Sequence, residues 1–180
     1  MEKKSNSMLK HSMNYGLIMG VSLVILSLII YLMGILKPPF WVSIINWVIV
    51  IAIIYLGSKK YRDEVLDGAI SYGNAVGYGV LVSAFSAVIT SFFTVLLVTV
   101  IDPEYVNKLL VIVEEEMVNK GLPDEQISAG LEMSKKFMSP IFMFFSGLLG
   151  SVLTGLVISL ITSIFVKKEA APFKTDEVIE

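Results

Sequence analysis

The chain has 180 residues, 55% of them apolar and only 17% charged, against about 25% charged in a typical soluble domain. Its net charge of −2 gives no field for nucleic acid or an acidic partner, and the absence of cysteine excludes disulfides, thiolate metal sites and cysteine nucleophiles. One domain, 1–180, accounts for the length, because four apolar runs free of Lys, Arg, Asp and Glu take up most of it: 15–36, 40–57, 69–101 and 140–166.

Each run is long enough to cross a hydrocarbon core about 30 Å thick, which takes roughly 20 residues of helix. The expected fold is therefore all-α and polytopic, with four transmembrane helices. Lys3, Lys4 and Lys10 form a basic leader before the first run. A cleaved signal has an apolar core of about 7–15 residues and a small-residue cleavage site. Here the run is longer and is followed by Lys37-Pro38-Pro39, so residues 15–36 read as a retained helix that the prolines end. His11, the only histidine, reads as an interfacial side chain at the membrane edge. Trp41, Tyr31, Tyr55, Tyr61 and Tyr105 read as aromatic anchors near the two interfaces.

The first run opens on Tyr15-Gly16-x3-Gly20, and Tyr72-Gly73-x3-Gly77 lies near the start of the third. The recurrence raises a parallel 2+2 repeat of helical hairpins. Its plainer meaning is close helix packing, since glycine lets backbones approach in lipid. In the second run Asn46, beside Trp47, is the deepest amide; it reads as a bond to a neighbouring helix or a ligand contact. Asn74 lies near a boundary, where it reaches water or headgroups.

The third run carries Ala75, Gly79, Ser83, Ala87 and Ser91 at four-residue spacing, and the fourth carries Gly147, Ser151, Gly155, Ser159 and Ser163 in the same way. Residues four apart share a helix face, so each helix offers a groove of small side chains. The two grooves are expected to face each other, or to face copies in an oligomer.

Between the third and fourth runs, Val106, Leu109, Leu110, Val113 and Met117 recur at helical spacing. Lys120-Gly121 then reads as a helix stop, and Leu122-Pro123 as the restart of a second helix. A short helical hairpin over 103–138 is expected outside the membrane. The run Glu114-Glu115-Glu116 reads as a solvated acidic face, because adjacent carboxylates on a helix point about 100° apart and do not converge on one ion.

The basic residues sort the sides. Nine lie in the leader, in the Lys59-Lys60-x-Arg62 segment and in the tail with Lys167, Lys168 and Lys174, against five on the opposite side. The bias places both termini in the cytoplasm and the hairpin outside.

The segment Tyr61-Arg62-Asp63-Glu64-x3-Gly68-x-Ile70-Ser71-Tyr72-Gly73-x-Ala75 carries both charge signs into the third run. On that segment, the extramembrane insertion and the final apolar run, the chain resembles the family catalogued as domain of unknown function 4199. Asn74 stands where the family commonly has glutamine. The resemblance implies a bacterial inner-membrane protein of four helices, and it brings no activity and no assigned residues.

No catalytic set, glycine-rich phosphate loop, cofactor motif or metal-ligand spacing can be assembled. The leading expectation is a non-enzymatic interaction or accessory subunit, packed through Gly16, Gly20, Gly73, Gly77 and the two stripes. Arg62, Asp63 and Asp67 are the second-rank polar contacts. The runner-up is a transporter or channel for a small solute or lipid. The partners expected are the lipid bilayer and either further copies of the chain or another membrane protein.

Overall fold

The computed structural model describes residues 2–169, with side chains from residue 7 onward. The side chains of Lys3 and Lys4, and all of Lys174, lie outside that description. Six α-helices follow in order: α1 (Glu2–Leu32), α2 (Phe40–Val65), α3 (Tyr72–Leu96), α4 (Tyr105–Asn119), α5 (Asp124–Phe137) and α6 (Pro140–Val166). A π-helical turn, Leu97–Ile101, extends α3. Helices α1, α2, α3 with its π turn, and α6 are long and apolar enough to cross a membrane. Their outward faces fit that solvent, with Phe40 at 81% and Ile141 at 75% exposed. Exposed apolar surface on that scale does not persist in water.

Helix α1 begins before its apolar stretch but stops at Leu32, ended by left-handed Gly34 at φ 69° and not by the prolines. Helix α2 runs on past Gly57 because Lys59, Lys60 and Arg62 are good helix formers. The break comes at Asp67 and Gly68, both left-handed at φ 54° and 87°, where the Gly68 N–H donates to the Arg62 carbonyl at 2.9 Å. Asp67 is one of the few side chains that tolerates this conformation. Gly121, at φ 71°, ends α4 in the same way. Pro39, Pro123 and Pro140 stand at helix starts, where the missing N–H costs nothing.

Helix α3 is central, packed most extensively against α6 and α1, while α2 lies across the groove that those helices form. The buried core is concentrated in one half of the bundle, the half that holds the start of α1 and the end of α6. Met19, Val50, Ile54, Tyr61, Tyr78, Val82, Ile158 and Val166 form it. On α6 burial begins only at Gly155. In the other half, beside α4 and α5, the helices diverge. Helices α4 and α5 pack on each other, with Met117 Cε 2.6 Å from where a Cβ on Gly130 would lie.

Candidate functional site: an uncharged cleft within the bundle

The α3–α6 seam explains why one half is tight. A Cβ on Gly79 would lie 2.1 Å from Ser159 Oγ, one on Gly155 2.0 Å from Ser83 Oγ, and one on Gly147 3.0 Å from Ser91 Oγ. Each helix therefore sets a serine into the other's glycine notch, in antiparallel register. The same register sets Ala87, which is buried, across from Ser151. Helix α1 closes on α3 through Gly16, whose Cβ would meet Phe85 Cβ at 2.4 Å, and Gly20, whose Cβ would meet Ile89 at 2.9 Å.

Two sequence assignments need correction. Among the described residues, a Cβ on Gly73 would meet nothing within 4 Å, and one on Gly77 would meet only Met8 Cε at 3.5 Å. Neither glycine is a tight notch among the described residues: Gly73 is exposed, and Gly77 has only the flexible tip of Met8 from α1 in ordinary contact. Their counterparts Gly16 and Gly20 are pressed against α3, so the two matched motifs occupy unlike surroundings.

The polar residues near the α6 terminus tie chain segments together. Arg62 Nη1 donates to the Val166 carbonyl at 2.9 Å, satisfying one of the free carbonyls at the end of α6. Asp63 takes the Arg62 Nε at 2.7 Å and so holds the guanidinium in place. Beside them Ile70 and Lys168 exchange backbone hydrogen bonds of 2.9 and 3.1 Å. Asp67 serves as the left-handed turn residue. The Asn74 N–H lies 3.4 Å from Ser71 Oγ, which caps α3, and the Asn74 side chain is exposed.

An aromatic cluster in the same half is absent from the sequence reading. His11 Nδ1 lies 2.8 Å from the Tyr78 hydroxyl. The His11 ring stacks on Tyr15 at 5.0 Å, and Tyr61 stacks on Tyr78 at 4.9 Å. Tyr61 is 2% exposed, so it is a core residue and not an interfacial anchor, and His11 is half-buried inside the bundle. The cluster joins α1, α2 and α3. Only His11 and Tyr15 share a helix face; Tyr61 and Tyr78 come from distant parts of the chain, so no spacing rule could have assembled the cluster.

Where the helices diverge, a cleft of about 690 Å³ opens between α1, α2, α3 and α6. That is the size of a small-molecule site. Its floor is Met19, Val50 and Ser83, and its far end is covered by Pro38, Tyr31 and Tyr105, whose rings meet edge to face at 6.0 Å. Burial first, and then the nearby Asp102, push the Tyr105 hydroxyl above its usual range, which favours its neutral form. Asn46 is on the wall, with Ser43 and Trp47 from α2 and Ser146, Gly150, Ser151 and Thr154 from α6.

The lining is uncharged, since it holds no Lys, Arg, His, Asp or Glu. Several of its polar groups bond their own helix, as when Thr90 Oγ1 donates to the Ser86 carbonyl at 3.1 Å. Ser27, Ser43 and Asn46 in the lining are exposed, and the buried hydroxyls without a partner among the described residues, Ser58, Ser91, Ser159 and Ser163, lie outside it. A hydroxyl or amide that faces lipid without a partner costs several kcal/mol, on the order of 2–7, so polar groups in this lining favour a hydrogen-bonding neighbour. No group of side chains suited to holding a metal ion occurs among the described residues.

With this geometry in view, the family described as protein of unknown function (DUF4199) matches residues 14–168. The chain belongs to that family. The match begins after His11, at the Tyr15 side of the aromatic cluster, and ends at the Ile70–Lys168 bridge, and so takes in both seams and the whole cleft. No curated protein and no solved structure matches this DUF4199 chain.

Proposed function

We propose that this DUF4199 protein is a non-enzymatic integral membrane protein whose cleft holds or passes an uncharged small solute or lipid. The observation that carries the reading is the conjunction in the cleft of hydroxyl and amide side chains with a lining free of charge among the described residues. Such walls reward a neutral polar guest and reject an ion, which would leave its hydration for no compensating charge. The lining also holds no carboxylate, amine or imidazole to move a proton, which supports a binding role over catalysis.

The interaction-subunit reading loses its first support. Gly79, Ser83, Gly155 and Ser159 are spent on each other inside the bundle, so these stripes do not offer a surface to a partner or a second copy. In the proposed setting the protein sits in a bacterial inner membrane, with both termini cytoplasmic and the α4–α5 pair outside. The basic residues concentrated at the terminal end support this orientation.

Purification into native lipid discs followed by native mass spectrometry tests the reading. The wild type is expected to carry a bound neutral molecule, and Asn46→Leu to lose most of it. A protein that arrives empty, with a stoichiometric protein partner in its place, would overturn the proposal and restore the interaction-subunit reading.

A further inference from the structure

The walls of the cleft are not equally closed. Helix α1 is pressed onto α3 at Gly16 and Gly20, and α3 onto α6 at Gly147 and Gly155. Between α2 and α6 the case differs. These helices meet in the tight half, where Arg62 reaches the Val166 carbonyl. In the open half Asn46 and Trp47 on one side, and Ser146 and Gly150 on the other, line the cleft and are also exposed. Gly150 is the clearest sign, since a Cβ there would meet nothing within 4 Å. The cleft therefore has a mouth on its side, between two spans, facing the layer where the bilayer lies.

Along α6 the lining runs from Ser146 to Thr154, about 12 Å at 1.5 Å per residue, which fits within one leaflet. Apolar walls such as Leu23, Val42 and Phe93 alternate with serine hydroxyls and the Asn46 amide. A guest that satisfies both has an apolar body and oxygen atoms that accept or donate hydrogen bonds, without net charge.

We infer that the cleft is loaded sideways from the bilayer, between α2 and α6, by a neutral amphiphile bearing hydroxyl or ester oxygens, the chemical class of a diacylglycerol. This rests on the reading of the cleft as a site for an uncharged guest and adds the route and the class. A water-borne solute would instead enter past Tyr31 and Tyr105, where the rings and Pro38 narrow the way.

Trp47 on the mouth supplies a direct probe. In Trp41→Phe, which alters an exposed side chain, Trp47 is the sole tryptophan. The full chain is reconstituted in phosphatidylcholine vesicles with a few mole per cent of brominated diacylglycerol. The expected result is saturable quenching of Trp47, reversed by unbrominated diacylglycerol and reduced at least fivefold by Gly150→Leu, which fills the mouth without touching a packed seam. Quenching that rises linearly with brominated lipid and ignores Gly150→Leu would be bulk contact and would overturn the inference. Quenching by aqueous acrylamide that Gly150→Leu leaves unchanged, with none saturable from the lipid, would show loading from water. That outcome overturns the lipid route but leaves the uncharged-guest reading standing. The guest reading fails separately, when native mass spectrometry finds no bound neutral molecule.

Discussion

Gly155 and Ser83 share one space: a Cβ on Gly155 would lie 2.0 Å from the Ser83 hydroxyl oxygen and 2.2 Å from its Cβ. Gly155→Ala therefore overpacks the seam and is expected to cost about 1–3 kcal/mol. Gly150→Ala, on the same helix with open space around it, is expected to stay within roughly 0.5 kcal/mol of wild type. Exchanging the partners, Ser83→Gly with Gly155→Ser, should recover part of the loss because bulk and notch change places. Unfolding in mixed micelles reads all three. Equal stability of the two alanine variants would show that the seam yields.

Tyr78 couples two kinds of contact, the ring stacked on Tyr61 at 4.9 Å and the hydroxyl 2.8 Å from His11 Nδ1. Tyr78→Phe keeps the stack and is expected to lose about 1 kcal/mol, the worth of one ordinary hydrogen bond. Tyr78→Ala also empties a fully buried site and should cost about 4 kcal/mol. A phenylalanine variant as damaging as the alanine one would mean that the hydroxyl, and not the ring, holds α1 to α3.

Lys37, in the α1–α2 connection, pairs with Glu116 on α4 and latches the short helices to the bundle. The Lys37 hydrogen bond holds the Glu116 carboxyl below its usual range. Because the folded value is the lower one, the latch is fully present above the ordinary glutamate value near ~4.3 and is lost as pH falls through the lowered value. Spin labels at Met33→Cys and Val118→Cys, both exposed, should give a narrow distance distribution at neutral pH that broadens on acidification. Glu116→Gln should be broad throughout. An unchanged distribution for that variant would show that the edge contact of Tyr31 and Tyr105 suffices.

The cysteine-free chain makes orientation measurable by single replacements. On intact cells an impermeant maleimide is expected to label Ser128→Cys on α5 and to spare Lys59→Cys on α2, both exposed sites. Ser58, one residue earlier, is buried and would stay unlabelled whichever side it faced. The reverse labelling pattern would invert the proposed topology.

The sequence by itself determined the helices that can span a membrane. Length and uninterrupted apolarity need no tertiary context, and the run 140–166 coincides with α6. Four-residue spacing likewise marked Gly79, Ser83, Gly155 and Ser159 as one face of each helix, a property of the helix alone. Only the tertiary structure decided which small residues are notches. Gly16 and Gly73 stand in matching motifs, and whether another helix comes within contact of each depends on crossing points that no single helix encodes. The His11–Tyr78 contact and the cleft were hidden for the same reason. A cleft is the space left where helices part, and divergence past Gly155 is a property of the assembled bundle.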